Sequence, residues 1–368
     1  MNFGKNAHRE TLDSKALMRL TCCRPIPTTC REPSSLRLNN GTVRKFRILV
    51  FGIAAVLLSA GLTSCSSSID NGVSQLESGA SPLPETIRPI EIAQNDIAFP
   101  VPFDQEWAQG SATRIVTLAN GSGEVVAVLG GGDRVVGRDE TSSAPEISGA
   151  PIVTNSHEIN VESVLGVTPD LVLIDASSGP QEAIDSIRSA GIRVVEVPEA
   201  WTIAEITPKV EAIGSAVGAP IEAITYVAGL TAASEQMSLA PIPKVAFLYV
   251  RGTSAIYLLG GEGSGADSLI RESGGTDVGA QAELGPFTPL TAEEIVRLDP
   301  DVLLVMTKGL ESVGGIDGLV ELPGVAQTKA AATRAVIEVD DTLLLSFGPR
   351  TGDLINAMNE ALTELNSP

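Results

Sequence analysis

The chain has 368 residues, room for two domains of ordinary size or one large core with appendages, and it is far too long for a small disulfide scaffold. It carries 25 Lys+Arg against 45 Asp+Glu, a net charge of −20, with 43% hydrophobic and only 4% aromatic residues. That balance argues against nucleic acid as a partner, because a phosphate binder needs a basic stripe.

The charge is unevenly spread, since residues 1–64 hold ten basic and three acidic side chains. This stretch ends in a cationic cluster (Arg44, Lys45, Arg47), an apolar run from Ile48 to Ala60, and small residues before Cys65. Those are the three zones of a secretory signal peptide. The run is too short for a bilayer-spanning helix, which needs roughly 20 residues. Leu62, Thr63, Ser64 and Cys65 look like a bacterial lipobox. The expected product is a chain trimmed before Cys65, lipidated there, and held on the extracytoplasmic face of the cell membrane. Cys22, Cys23 and Cys30 all lie upstream, so the mature chain has a single Cys and forms no internal disulfide. Residues 1–42 are polar and unlike a signal n-region, and the true start is expected near Val43.

Residues 65–106 are rich in Ser, Pro, Gly and acid without a sustained apolar period, which predicts a solvated tether. From Arg114 short apolar runs (IVTL, VVAVLG, RVVG, DLVLID, RVVEV) alternate with segments of helical spacing. This is βα alternation, hence an α/β fold with mostly parallel sheets covered by helices. An internal repeat divides it: Ile159–Asp175 aligns without gaps with Leu290–Met306, offset by 131 residues, as helix, Pro-Asp turn and buried strand. RIVTLAN from Arg114 corresponds with KVAFLYV from Lys244, and RVVEV at Arg193 with AVIEV at Ala335. Two Rossmann-like lobes are therefore predicted, 107–219 and 239–368. Residues 220–238 join them as a helix opened by Pro220; its 18 residues to Met237 reach roughly 27 Å. A helix as sole bridge predicts a stiff connection.

A lipobox, a tether, two lobes sharing E-x-[VI]-[LV]-x-x-x-P-D-[LV], and one connecting helix resemble the substrate-binding lipoprotein of an ABC importer for iron chelates or cobalamin, a class III periplasmic binding protein. The resemblance covers about residues 107–368. Tyr249, Val250, Arg251 and Gly252, followed by SAIYLLGGEGSGADSLI, are similar to the haem-binding members, particularly those of actinobacteria. SFGPRT, ending at Thr351, is similar to the family's last strand-to-helix turn. The resemblance implies haem as transported ligand, no enzymatic activity, and a permease and ATPase complex as partner of a monomer. In such importers one glutamate from each lobe docks into the permease. Glu162 and Glu293 occupy equivalent repeat positions and are the candidates, with Glu294 and Glu158 as alternatives.

The residue inventory agrees with haem. His8 lies in the leader, so His157 is the only histidine of the mature chain, too few for a zinc site of three or four ligands. Haem supplies four nitrogens itself and asks for one or two axial ligands, for which imidazole and phenolate both serve. His157 precedes a helix starting near Asn160, and its counterpart in the repeat is Thr288. Tyr249 falls at the carboxyl end of the second lobe's first strand, where open α/β sheets place ligands. Arg251, two residues on, shares its face if the strand continues, and a guanidinium there stabilises a phenolate. Taken alone, a loop His serves solvation and a strand Tyr serves packing, the role expected of Tyr257; Tyr226 belongs to the linking helix. Arg138 and Arg350 follow strands near the cleft and are candidates for propionate contacts or structural roles.

Two other functions compete. A siderophore or cobalamin pocket would want aromatic or cationic groups, and the mature chain has only Trp107 and Trp201 as tryptophans. A secreted hydrolase could use His157 with Ser156 or Ser254, but no G-x-S-x-G elbow is present. The glycine-rich stretches at Leu129 and Leu258 lack the spacing of nucleotide-binding loops, and turn and helix-start roles suffice for them.

Overall fold

The computed structural model describes residues 89–155, 158–231, 239–252 and 257–366, all within one unit, Glu77–Pro368. The signal segment, Cys65 and the first part of the expected tether lie outside the described residues. Strand β1 (Ile90–Ile92) opens the described chain. In the first lobe β2 (Ile115–Thr117), β3 (Val135–Arg138), the pair β4 (Thr154–Asn155) and β5 (Glu158–Ile159), β6 (Leu171–Ile174) and β7 (Arg193–Glu196) follow. The second lobe holds β8 (Lys244–Val250), β9 (Tyr257–Gly260), β10 (Thr276–Asp277), β11 (Phe287–Pro289), β12 (Val302–Met306) and β13 (Val336–Val339).

The first sheet is parallel in the order β3-β2-β6-β7, and the second runs β1-β13-β12-β8-β9-β11. Its β1, β13, β12 and β8 are parallel, whereas β9 and β11 add antiparallel strands beyond β8. This is the expected α/β fold of two mostly parallel sheets.

Alternation along each strand explains how the lobes are filled. Ile115, Leu171 and Leu173 face a central core that also takes Val245, Phe247, Val302 and Leu304 from the second lobe. Their neighbours Val116, Val172 and Ile174 pack in an outer cluster of the first lobe, and Ala246, Leu248, Leu303 and Val305 in one of the second. Side chains of period two thus give each sheet one face on a shared interior and one on its own helices.

The repeat holds in atomic detail. Helices Val161–Gly166 and Ala292–Leu298 start 131 residues apart, capped by Asn160 (3.0 Å to Ser163 N) and Thr291 (3.3 Å to Glu294 N). Each helix leads to a left-handed residue, Thr168 (φ 44°) and Asp299 (φ 43°). The Pro-Asp carboxylates then bind the chain ahead of each lobe's first strand, Asp170 at Thr113 N (2.8 Å) and Asp301 at Lys244 N (3.0 Å). Ile115 pairs with Leu171 as Val245 pairs with Val302, and Val172 with Val194 as Leu303 with Val336.

Three expectations are corrected. VVAVLG is no strand: Ser122–Val126 is an α-helix that continues as a π-turn over Ala127–Gly131. It is buried almost all round, so its apolar run shows no helical period. Residues 90–106 are not solvated tether. β1 pairs with β13, Ile97 is buried, and Phe103 N donates to Val128 O at 2.9 Å. The described chain therefore starts in the second lobe and crosses to the first over residues 93–114, a second bridge beside the linking helix. That helix is described from Ile221 to Thr231, and residues 232–238 lie outside the described residues. It packs through Ala223, Ile224 and Val227, while Tyr226 Oη donates to Val101 O (2.9 Å) and ties down the crossing segment. SFGPRT, lastly, follows a short helix, Asp341–Leu344, and not a strand.

Candidate ligand-binding cleft

Between the carboxyl ends of the two sheets lies a cleft of about 570 Å³. The first lobe lines it with Asn120, Asp139, Glu140, Thr141, Ser177 and Ser178, together with Leu118, Thr154 and Ile159. Asp175, at the end of β6, builds this wall: its buried carboxylate accepts from Asn120 N (2.7 Å), Ser177 Oγ (2.8 Å) and Ser178 Oγ (2.9 Å). Asp139 is held by the hydroxyls of Thr141 and Ser142, and burial pushes its carboxyl above the usual range.

The second lobe presents Tyr249, Arg251, Met306, Lys308, Asp341 and Leu345. Tyr249 is half-buried near the end of β8. Arg251 Nε and a terminal guanidinium nitrogen donate to its phenolic oxygen at 3.0 and 2.8 Å, with the guanidinium carbon 5.1 Å from the ring centroid. Phe287 of β11 meets the same ring edge-on at 5.6 Å. The phenol oxygen thus accepts two charge-assisted hydrogen bonds from one guanidinium. Lys308 is exposed in the cleft, and among the described residues no carboxylate pairs with its ammonium.

Of the sequence candidates, Tyr249 and Arg251 come together as expected. His157 lies outside the described residues, as do Ser156 and Ser254; Thr154 and Ile159, close to His157 in sequence, line the cleft. Its repeat counterpart Thr288 sits in β11 beside Phe287. The propionate candidates are corrected. Arg138 spends its donors on the carbonyls of Ala150 (3.2 Å), Asp139 (3.2 Å) and Ser142 (2.9 Å) and does not line the cleft. Arg350 is 1% exposed and ion-paired with Glu124 of the other lobe at 2.5 Å, its guanidinium stacked on Phe99 at 3.9 Å. Tyr257, expected to pack, is buried and donates to Pro323 O (2.6 Å). Glu162 and Glu293 are both exposed on the first turns of their helices, whereas Glu294 closes a capping box on Thr291.

Beneath the cleft the lobes are fastened by polar contacts. Asn120 Nδ2 donates to Leu345 O (2.8 Å), and Lys209 Nζ to Ser346 O (2.8 Å) and Phe347 O (3.3 Å). Burial pushes the Lys209 ammonium down to about 8, against the pull of Asp175, Glu124 and Glu199. Burial likewise raises the Glu124 carboxyl, opposed by Arg350. Gly121, at φ 69°, lets the lobes close up: a Cβ there would lie 2.5 Å from Ser346 O.

Lys308 was missed from sequence, although a signal existed. It is the repeat counterpart of Ser177, two residues beyond the end of a buried parallel strand, and both line the cleft.

Known proteins share this architecture. The periplasmic heme-binding protein RhuT from Roseiflexus sp. RS-1 superposes with a TM-score of 0.65 at 32% identity, over 70% of this chain and 100% of its own. The heme-binding protein HmuT gives 0.66 at 32% identity, over 74% and 97%, and alanine variants of one histidine, one tyrosine and one arginine of it have known structures. The uncharacterized ABC transporter substrate-binding lipoprotein YvrC of Bacillus subtilis is 27% identical over 284 residues, 73% of this chain and 87% of its own length. Other relatives, from Halobacterium salinarum and Vibrio campbellii, are named cobalamin-binding and vitamin B12-binding proteins. Residues 115–343, from the first strand of one lobe to past the last strand of the other, match the periplasmic binding protein family, and the chain belongs to it.

Proposed function

We propose that this chain captures haem in the inter-lobe cleft and delivers it to the permease and ATPase of an ABC importer. The observation that carries the reading is the Tyr249 phenol, set at the ligand edge of the sheet and clamped by two donors of Arg251. A phenolate is a fitting axial ligand for ferric iron, and the neighbouring guanidinium would hold its oxygen in place. His157 is the second ligand in this reading, supplied by the opposite lobe. Lys308 takes the propionate role, and Leu118, Met306 and Leu345 offer apolar surface to the porphyrin. HmuT supports the assignment, since its varied arginine lies two positions after its varied tyrosine, the spacing of Tyr249 and Arg251. In the same reading Cys65 carries the lipid anchor, and Glu162 and Glu293 contact the permease.

Hemin titrated into the purified protein should give a saturable Soret shift at one equivalent, largely lost in Tyr249→Ala. Unchanged binding by that variant overturns the assignment. The names of the Halobacterium and Vibrio relatives favour cobalamin as a second reading, and cyanocobalamin that displaces hemin or binds more tightly would establish it. Reversing both charges, Glu162→Lys with Glu293→Lys, should abolish uptake by cells while hemin binding in solution persists. Normal uptake removes these residues from the permease contact.

A further inference from the structure

The glycine-rich stretch from Leu258 to Ser268 has no part in the cleft, yet with β10 it gathers an unusual set of oxygens. Ser264 Oγ, Asp267 Oδ1 and Asp277 Oδ2 are buried without a hydrogen-bond partner, on residues 0%, 8% and 6% exposed. Each carboxylate spends its other oxygen on the backbone: Asp267 Oδ2 accepts from Gly263 N (3.1 Å), Asp277 Oδ1 from Ala280 N (2.6 Å). Close backbone approach joins the two segments. A Cβ on Gly279 would lie 2.0 Å from Gly260 O, and one on Gly260 would lie 3.1 Å from Ser264 Oγ. Burial, reinforced by repulsion from Asp267, pushes the Asp277 carboxyl up to about 7. Among the described residues no Lys or Arg side chain pairs with either carboxylate.

We propose that Ser264, Asp267 and Asp277 form a binding site for a calcium ion. The two buried carboxylates repel each other, and a divalent cation shared between them and the Ser264 hydroxyl neutralises that charge. The donor set is oxygen only, which selects a hard cation over zinc or copper. Calcium tolerates irregular geometry and takes loop carbonyls readily, whereas magnesium demands a near-ideal octahedron. The ion ties the glycine loop after β9 to the end of β10, on the sheet that carries Tyr249. The site is independent of what the cleft binds.

Full-length protein stripped with EDTA and desalted should take up one calcium per chain in calorimetry, and saturating calcium should raise its melting temperature by roughly 5 °C. Asp267→Asn and Asp277→Asn should each abolish that response. Ser264→Ala, the variant least able to disturb folding, should weaken calcium binding several-fold while the protein still melts cooperatively. No uptake by the stripped wild type overturns the site, as does a melting temperature that follows pH near 7 and ignores every cation, the signature of a shared proton. An equal response to magnesium overturns the assignment to calcium.

Discussion

In the first lobe the repeated strand runs out into Asp175 and then Ser177; in the second the same positions are Met306 and Lys308. The helix, its cap, the left-handed turn and the strand register are shared, yet the hydroxyls of the cleft come mostly from one wall while its two cations, Arg251 and Lys308, and its phenol come from the other. Duplication thus preserved what hydrogen-bonds the backbone and released the residues just past the strand ends. The second lobe went further: its antiparallel β9 and β11 lie beyond β8, where the first lobe has only parallel β3, and they bring Phe287 onto Tyr249. A ligand held here meets two different surfaces, which fixes its orientation.

The comparison breaks most severely where the walls share a floor. Arg350→Met leaves Glu124 buried and uncompensated, and urea unfolding should show a loss of about 3–5 kcal/mol, because the penalty of an unpaired buried charge exceeds the worth of the pair. Two separately melting lobes with unchanged stability would mean that the pair does not join them.

Next comes the cationic wall. If the proposed assignment holds, Tyr249→Ala should lower hemin affinity by more than about 100-fold and Arg251→Ala by about 10-fold, one removing the proposed iron ligand and the other its supporting donor. His157→Ala should cost less than Tyr249→Ala, the anionic oxygen giving the stronger bond to Fe(III). A hemin titration of the three variants ranks the lobes by contribution, and a larger loss at His157 would reverse the assigned asymmetry.

Lys308→Ala should weaken hemin by about 5-fold, the scale of an exposed charge-assisted contact, and should leave the affinity for hemin dimethyl ester unchanged. Equal losses for both ligands would take Lys308 away from the propionates.

A stability effect is expected at Lys209, which binds two second-lobe carbonyls. Lys209→Met should cost about 1–3 kcal/mol at pH 7 by leaving those carbonyls unpaired. The pH dependence has a definite sign. With its folded value lowered to about 8 from 10.5, the unfolded chain binds more protons between those limits, so this group makes the wild type more stable as pH rises through that window. The gap between wild type and variant should therefore widen from pH 8 to 10.5. A gap that narrows would show the ammonium to be favoured in the folded state.

Legibility in the sequence followed the range of the interactions involved. The α/β class, the repeat and the Tyr249–Arg251 pair rest on contacts of short or periodic spacing, and those were readable. Glu124 and Arg350 are 226 residues apart, and nothing local marks an arginine whose partner comes from the other lobe. The helix over Ser122–Val126 was hidden because burial on every side erases its period. Strand β1 was hidden for the opposite reason: three residues, Ile90, Glu91 and Ile92, are too few to stand out in a polar, proline-rich stretch.

That short strand has a consequence for how the molecule is made. β1 is the first described strand and its partner β13 the last. A chain emerging from the ribosome can complete the β3-β2-β6-β7 sheet about midway, but Ile90 has no edge to lie on until Val339 has been synthesised. The earliest strand must wait for the latest, a contact of very high sequence separation and hence a slow one to form. Until then the second sheet has an open slot between β1 and β12, so its first described strand is docked only after nearly all the others have been made.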